Sequence, residues 1–125
     1  MPLPADSPRA QILDEAKGLI LGDRNAQYGP PTQDFERSAQ ILNAQGYRGP
    51  GGRLIEMHDV ALMVIAIKLS RLVWTPGKRD SWADIAGYVG CGWECVVEEE
   101  KARAKPKEKH HLIWPLRWLG RRPSK

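Results

Sequence analysis

Apolar and polar positions recur with a helical period along most of this chain. Ile12, Leu13, Ala16, Leu19 and Ile20 form one stripe between Pro8 and Gly22. Ser7 followed by Pro8 is a favourable helix start, and Gly22 is a natural stop. A second helix is predicted from about Thr32 to Gln45, with Thr32 as its cap and Phe35, Ala39 and Leu42 at helical spacing. The stretch "GYRGPGGR" (46–53) reads as a turn-rich connector. A third helix, about Leu54 to Trp74, is apolar nearly all round in "VALMVIAI", which predicts the central buried helix. "TPGK" stops it. A fourth begins near Asp80-Ser81 and runs to about Arg103. Gly87, Gly90 and Gly92 are costly inside that helix, so a neighbouring helix or a ligand is expected to come close there. No strand pattern and no internal repeat is present. The expectation is an all-α, four-helix bundle-like domain over residues 1–104, followed by a basic, Trp-containing tail over 105–125.

Composition adds a compartment and an asymmetry. At 125 residues the chain can bury one modest core. "MPLPADSPRAQ" lacks the apolar core of a signal peptide, and Val60 to Ile67 is too short to span a bilayer. Cys91 and Cys95 make no disulfide framework, so a reducing, cytoplasmic setting is expected. The net charge of +4 is unevenly placed. Residues 1–100 carry ten Lys/Arg against fourteen Asp/Glu, whereas 101–125 carry nine against Glu108 alone. An acidic body argues against a domain that binds nucleic acid with its whole surface. The tail interleaves basic residues with Leu112, Trp114, Leu116, Trp118 and Leu119. Docking on the acidic body is the favoured reading of it, nucleic-acid contact the second and an anionic membrane surface the third.

Charges on the two long helices raise the question of chemistry. At about 100° per residue, Asp59 lies about 60° to one side of Glu56 and Arg71 about 60° to the other, with Lys68 beyond it. Acids at the start and bases at the end suit the helix dipole, which is the plain explanation. On the fourth helix Asp80, Asp84, Tyr88, Cys91 and Cys95 share one face, opposite Trp82, Val89 and Trp93. Carboxylates on a core-like helix require partners or a metal. Glu56, Asp59, Asp80 and Asp84 are therefore candidate ligands of a hard cation, with Asp59 and Asp84 nearest the chemistry. Mg²⁺ suits oxygen ligands and substrate phosphates, whose charge Arg24, Lys68 and Arg71 would offset. His58 beside Asp59 is weighed as a ligand and favoured as structural, and Cys91, Cys95 and His58 make a poor zinc set. "GYRGPGGR" lacks the spacing of a phosphate-cradling loop.

The elbow "GDRNAQYGPPTQDF" (22–35) belongs to a longer pattern. Asp23-Arg24 with Tyr28-Gly29 and Pro31, Asp59-Val60-Ala61-Leu62, Lys68 with Arg71-Leu72, and Asp80 with "DIAGY" (84–88) resemble a small domain of phage and prophage genomes. More distantly the chain is similar to all-α nucleoside triphosphate pyrophosphohydrolases of the MazG type. That resemblance implies Mg²⁺-assisted hydrolysis of an NTP or dNTP to monophosphate and pyrophosphate, in a homo-oligomer. In the elbow Tyr28 is a candidate to stack on the base and Arg24 to hold phosphate; equally open is a capping and ion-pair role for Asp23-Arg24, with Tyr28 plugging the end of the bundle. The chain departs from the MazG pattern: it has Glu56-x-x-Asp59 for E-E-x-x-E, and Ser81 where a second glutamate would stand. A non-catalytic nucleotide binder of phage origin, acting by sequestration, is the rival reading. A structural or DNA-associated protein working through its tail is the third.

Overall fold

The computed structural model describes residues 6–105, with Asp23 and Arg24 described in their backbone alone. Within them lie five α-helices and one short 3₁₀ turn: α1 (Pro8–Leu21), α2 (Asp23–Tyr28), α3 (Pro31–Ala44), the turn Pro50–Gly52, α4 (Met57–Trp74) and α5 (Arg79–Ala104). No strand occurs among the described residues. The fold is all-α, as the periodicity predicts. The basic tail lies outside the described residues from 106 onward.

The elbow is itself helical. α2 follows α1 directly, and Gly29 ends it with φ 81°, a left-handed geometry that suits glycine. Pro30 then caps α3 and Pro31 opens it, so Thr32 stands one residue inside the helix rather than at its cap. Much of the elbow's polarity serves its own backbone. The Gly29 N–H donates to the Asn25 carbonyl at 2.9 Å, and Arg37 Nη2 donates to the Tyr28 carbonyl at 2.7 Å. Ser7 precedes α1 as expected but makes no side-chain capping bond; its hydroxyl is buried without a partner.

α4 and α5 form a long antiparallel hairpin. The start of α4 meets the end of α5 at His58 and Glu99, and its second half meets the start of α5 at Lys68 and Asp84. α1 and α3 both pack on α5, and α3 also packs on α4. The central helix is therefore α5, not α4 as the apolar run of α4 suggests. Small side chains explain the difference. A Cβ on Gly92 would lie 3.2 Å from the Ala61 Cβ, and one on Gly87 would lie 3.2 Å from Ile20 Cγ2. Glycine thus admits α4 on one side of α5 and α1 on the other, so a neighbouring helix explains the close approach.

The core joins Phe35, Ala39, Ile55, Val60, Ala61, Cys91 and Cys95, with Ile20, Leu42, Met57 and Tyr88 at its margin. Phe35 and Tyr88 rings sit 6.1 Å apart. Asn43 ties the connector down by bonding both backbone groups of Ile55, donating through Nδ2 and accepting through Oδ1. The outward face of α4 is apolar and uncovered: Leu62, Leu69 and Val73 are exposed, the last at 87%.

Candidate functional site

Two charged clusters occupy opposite ends of the α4–α5 hairpin. The first surrounds the N-terminus of α4. Glu56 and Asp59 form a capping box, in which the Glu56 N–H donates to Asp59 Oδ2 at 2.8 Å. Arg53, from the connector, reaches Asp59 with two parallel bonds of 2.6 and 2.8 Å. Such a fork matches the geometry of a carboxylate. This bond holds the Asp59 carboxyl below its ordinary range, against an opposing desolvation effect. Arg103 bonds Glu56 at 3.0 Å. Glu99 is 7% exposed; it accepts the His58 backbone N–H at 2.9 Å and lies 2.6 Å from His58 Nδ1. An acidic group at the start of α4 answers the positive end of its dipole.

Glu56, His58 and Asp59 each offer an atom within 4.8 Å of the others, a spacing that a metal ion accepts. Yet guanidinium groups already neutralise both carboxylates. Capping and ion pairing account for this cluster, and His58 serves as Glu99's partner. Burial accounts for the cysteines in the same way. Cys95 is wholly buried, and burial, helped by the nearby Glu99 charge, pushes its thiol up to about 12. That thiol stays protonated and unreactive at neutral pH.

The second cluster lies where α4 turns into α5. Lys68, Arg71 and Trp74 from α4, Thr75 and Lys78 from the turn, and Asp80, Ser81 and Asp84 from α5 line an open cleft of about 690 Å³. Helical spacing aligns Lys68 with Arg71 and Asp80 with Asp84, and the hairpin brings the pairs face to face. Lys68 Nζ meets Asp84 Oδ2 at 2.8 Å, both side chains partly exposed. Asp84 also borders a small apolar pocket of about 30 Å³ with Leu19, Ile20, Gly87, Tyr88 and Cys91. Trp82 holds the turn in place by donating from Nε1 to the Pro76 carbonyl at 2.8 Å.

The hairpin therefore brings together Lys68, Arg71, Asp80 and Asp84, and it keeps Glu56 and Asp59 away from them. Fifteen residues of α5 separate Asp84 from Glu99, roughly 22 Å along the axis. The four carboxylates do not gather around one ion within a single chain. Tyr28 is half exposed at the elbow and does not line the cleft. The Arg24 side chain lies outside the described residues.

Sequence reasoning missed Arg53, Glu99 and Arg103. Extending the wheel of α5 by one more turn would have found Glu99, which follows Cys91 and Cys95 on the buried face. The connector's irregular backbone gave no comparable signal for Arg53.

These features define an all-α helical domain built on an antiparallel hairpin, with a mixed-charge cleft at the hairpin's turn. The chain belongs to the family described as a domain of unknown function, DUF6378, whose model matches residues 11–96. It is 37% identical over 97 residues to the Gene 55 protein of Mycobacterium phage D29, covering 78% of this chain and 60% of that one. The Gene 55 protein of Mycobacterium phage L5 is 31% identical over 107 residues, covering 86% and 61% respectively. The chain thus spans about three fifths of the length of these phage relatives. No solved structure matches it significantly. The matched segment contains the whole of the cleft lining and Arg53, Glu56, His58 and Asp59, while Glu99 and Arg103 lie beyond it. Among the described residues, no helix is long and apolar enough to cross a membrane.

Proposed function

We propose that this chain binds a nucleoside polyphosphate together with Mg²⁺ in the cleft at the α4–α5 turn. The composition of that cleft carries the reading: Lys68, Arg71 and Lys78 face Asp80 and Asp84 across one open space. Three cations suit phosphate oxygens, and two carboxylates suit a cation that keeps water and phosphate as its remaining ligands. The fit favours an ion arriving with the nucleotide, because Lys68 already balances Asp84. On binding, Lys68 would pass from Asp84 to a phosphate oxygen and release the carboxylate to the metal. Trp74, at 90% exposure on the cleft, presents a ring on which a base can stack, in the place first expected of Tyr28.

Binding stands ahead of hydrolysis on one observation. Glu56 and Asp59 are held by guanidiniums at the far end of the hairpin, leaving two carboxylates at the cleft. Two-metal attack on a phosphoanhydride calls for more oxygen ligands than that.

Calorimetric titration with NTPs and dNTPs, with and without Mg²⁺, tests the reading. Arg71→Ala, at an exposed position, is expected to weaken binding about tenfold or more, as loss of a charge-assisted hydrogen bond does. A chelator is expected to weaken it as well. Unchanged affinity in Arg71→Ala would place the ligand elsewhere. Pyrophosphate release that is lost in Asp84→Asn would make the chain a hydrolase instead.

A further inference from the structure

We infer that Trp82 is a positioning residue for the cleft, acting through Lys78 from the far side of the hairpin's turn, a role that rests on the nucleotide reading above. At about 100° per residue, Asp80 and Asp84 each lie about 160° from Trp82 around α5. The two carboxylates line the cleft and the indole does not. Trp82 instead lines a second, open recess of about 330 Å³, with Pro8 and Ile12 of α1 and with Pro76 and Gly77 of the turn. The turn is therefore a wall shared by two spaces. Thr75 and Lys78 line the cleft, and Pro76 and Gly77 line the recess.

Little else holds that wall. Every residue from 73 to 80 is exposed, so burial does not fix the turn. Two backbone bonds bracket it: the Thr75 N–H donates to the Arg71 carbonyl at 2.9 Å, and the Lys78 N–H to the Thr75 carbonyl at 3.1 Å. Neither engages the Pro76 carbonyl. Gly77 directly precedes Lys78, and glycine orders at a larger entropic cost than other residues. Lys78 itself is the N-cap of α5 and makes no side-chain capping bond. Among the described residues, the side-chain hydrogen bond that reaches this turn is the one from Trp82 Nε1 to the Pro76 carbonyl at 2.8 Å. It ties the peptide between Pro76 and Gly77 to the first turn of α5. The Arg79–Glu15 pair, 2.7 Å long, joins the same end of α5 to α1. Both of its ends are open to solvent, and such pairs contribute little.

Lys78 thus meets a phosphate with its ammonium in place only while the turn keeps its shape, and the indole bond supplies that shape. Preordering a flexible contact lowers the cost of binding without adding a contact. Linkage makes the effect reciprocal: whatever the bond adds to nucleotide affinity, the nucleotide adds to the bond.

Calorimetric titration of the full chain with NTPs and dNTPs in Mg²⁺ tests this, the tightest-binding nucleotide serving as probe. Trp82→Phe keeps a ring in the recess and removes the donor. It is expected to weaken binding about fivefold, the worth of one hydrogen bond. In a Lys78→Ala background the same change is expected to cost less than about twofold, because the group it acts through is gone. Equal losses in both backgrounds would show a general structural effect and overturn the inference, as would unchanged affinity in Trp82→Phe. Hydrogen exchange at the indole reads the wild-type chain directly, should the variant not fold. Saturating nucleotide is expected to slow exchange of the Trp82 Nε1 proton about fivefold, and an unchanged rate would overturn the inference. A wild-type chain that binds no nucleotide would fail the nucleotide reading itself. Affinity lost in Arg71→Ala and Lys78→Ala but kept in Trp82→Phe would leave that reading standing and fail the role of Trp82 alone.

Discussion

Asp59 is the residue whose sequence context and structural role differ most. Its place in Glu56-x-x-Asp59 suggests a metal ligand, whereas in the structure it caps α4 and is bonded by Arg53. Because its folded pKa is depressed, its contribution is present above the unfolded value and is lost as pH falls through the folded one. Thermal denaturation followed from pH 7 downward is expected to show a steep loss below about pH 4, where carboxylates begin to protonate. Asp59→Asn is expected to lower the midpoint by several degrees at pH 7 and to flatten that acid branch. An unchanged branch would assign the acid sensitivity to other carboxylates. At this scale the sequence showed which groups are charged but not what they touch. Arg53 and Asp59 are joined across an irregular turn, and no period connects them.

Among the elements, α5 shows how backbone distance is encoded by residues without side chains. Gly92 and Gly90 are neighbours in sequence but differ in surroundings. A Cβ at Gly92 meets the Ala61 Cβ at 3.2 Å, whereas one at Gly90 meets Ile20 Cδ1 at 3.6 Å, an ordinary contact. Gly92→Leu is therefore expected to force the hairpin apart and destabilise the chain by ~1–3 kcal/mol. Gly90→Ala is expected to stabilise it by up to ~1 kcal/mol through helix propensity. Chemical denaturation of both variants checks the contrast, which would fail if the two shifted alike. The three glycines were legible as a mark of close packing. Which helix was central was not, because the apolar run of α4 looks the same whether a neighbour lies on all sides or on two.

For the molecule as a whole, the mixed-charge cleft sits at the turn of the hairpin and an exposed apolar strip runs along its outer face. Val89, midway along that strip on α5, does not line the cleft, so Val89→Lys is expected to leave nucleotide affinity in calorimetric titration unchanged.

The sequence alone determined the elements and their chemistry. Helical periodicity, Pro8, Gly22 and the "TPGK" stop decide where the main helices run, since these are properties of the local chain. The same local order put Lys68 with Arg71 and Asp80 with Asp84, because neighbours one turn apart share a face. Tertiary structure decided which of these pairs meet. The antiparallel closure of α4 on α5 carries Asp84 to Lys68 and Glu56 to Arg103 at the other end, while the turn of the connector folds Arg53 onto Asp59. A helix wheel gives angle without partner, and only the packing of one helix on another supplies the distance at which two charges interact.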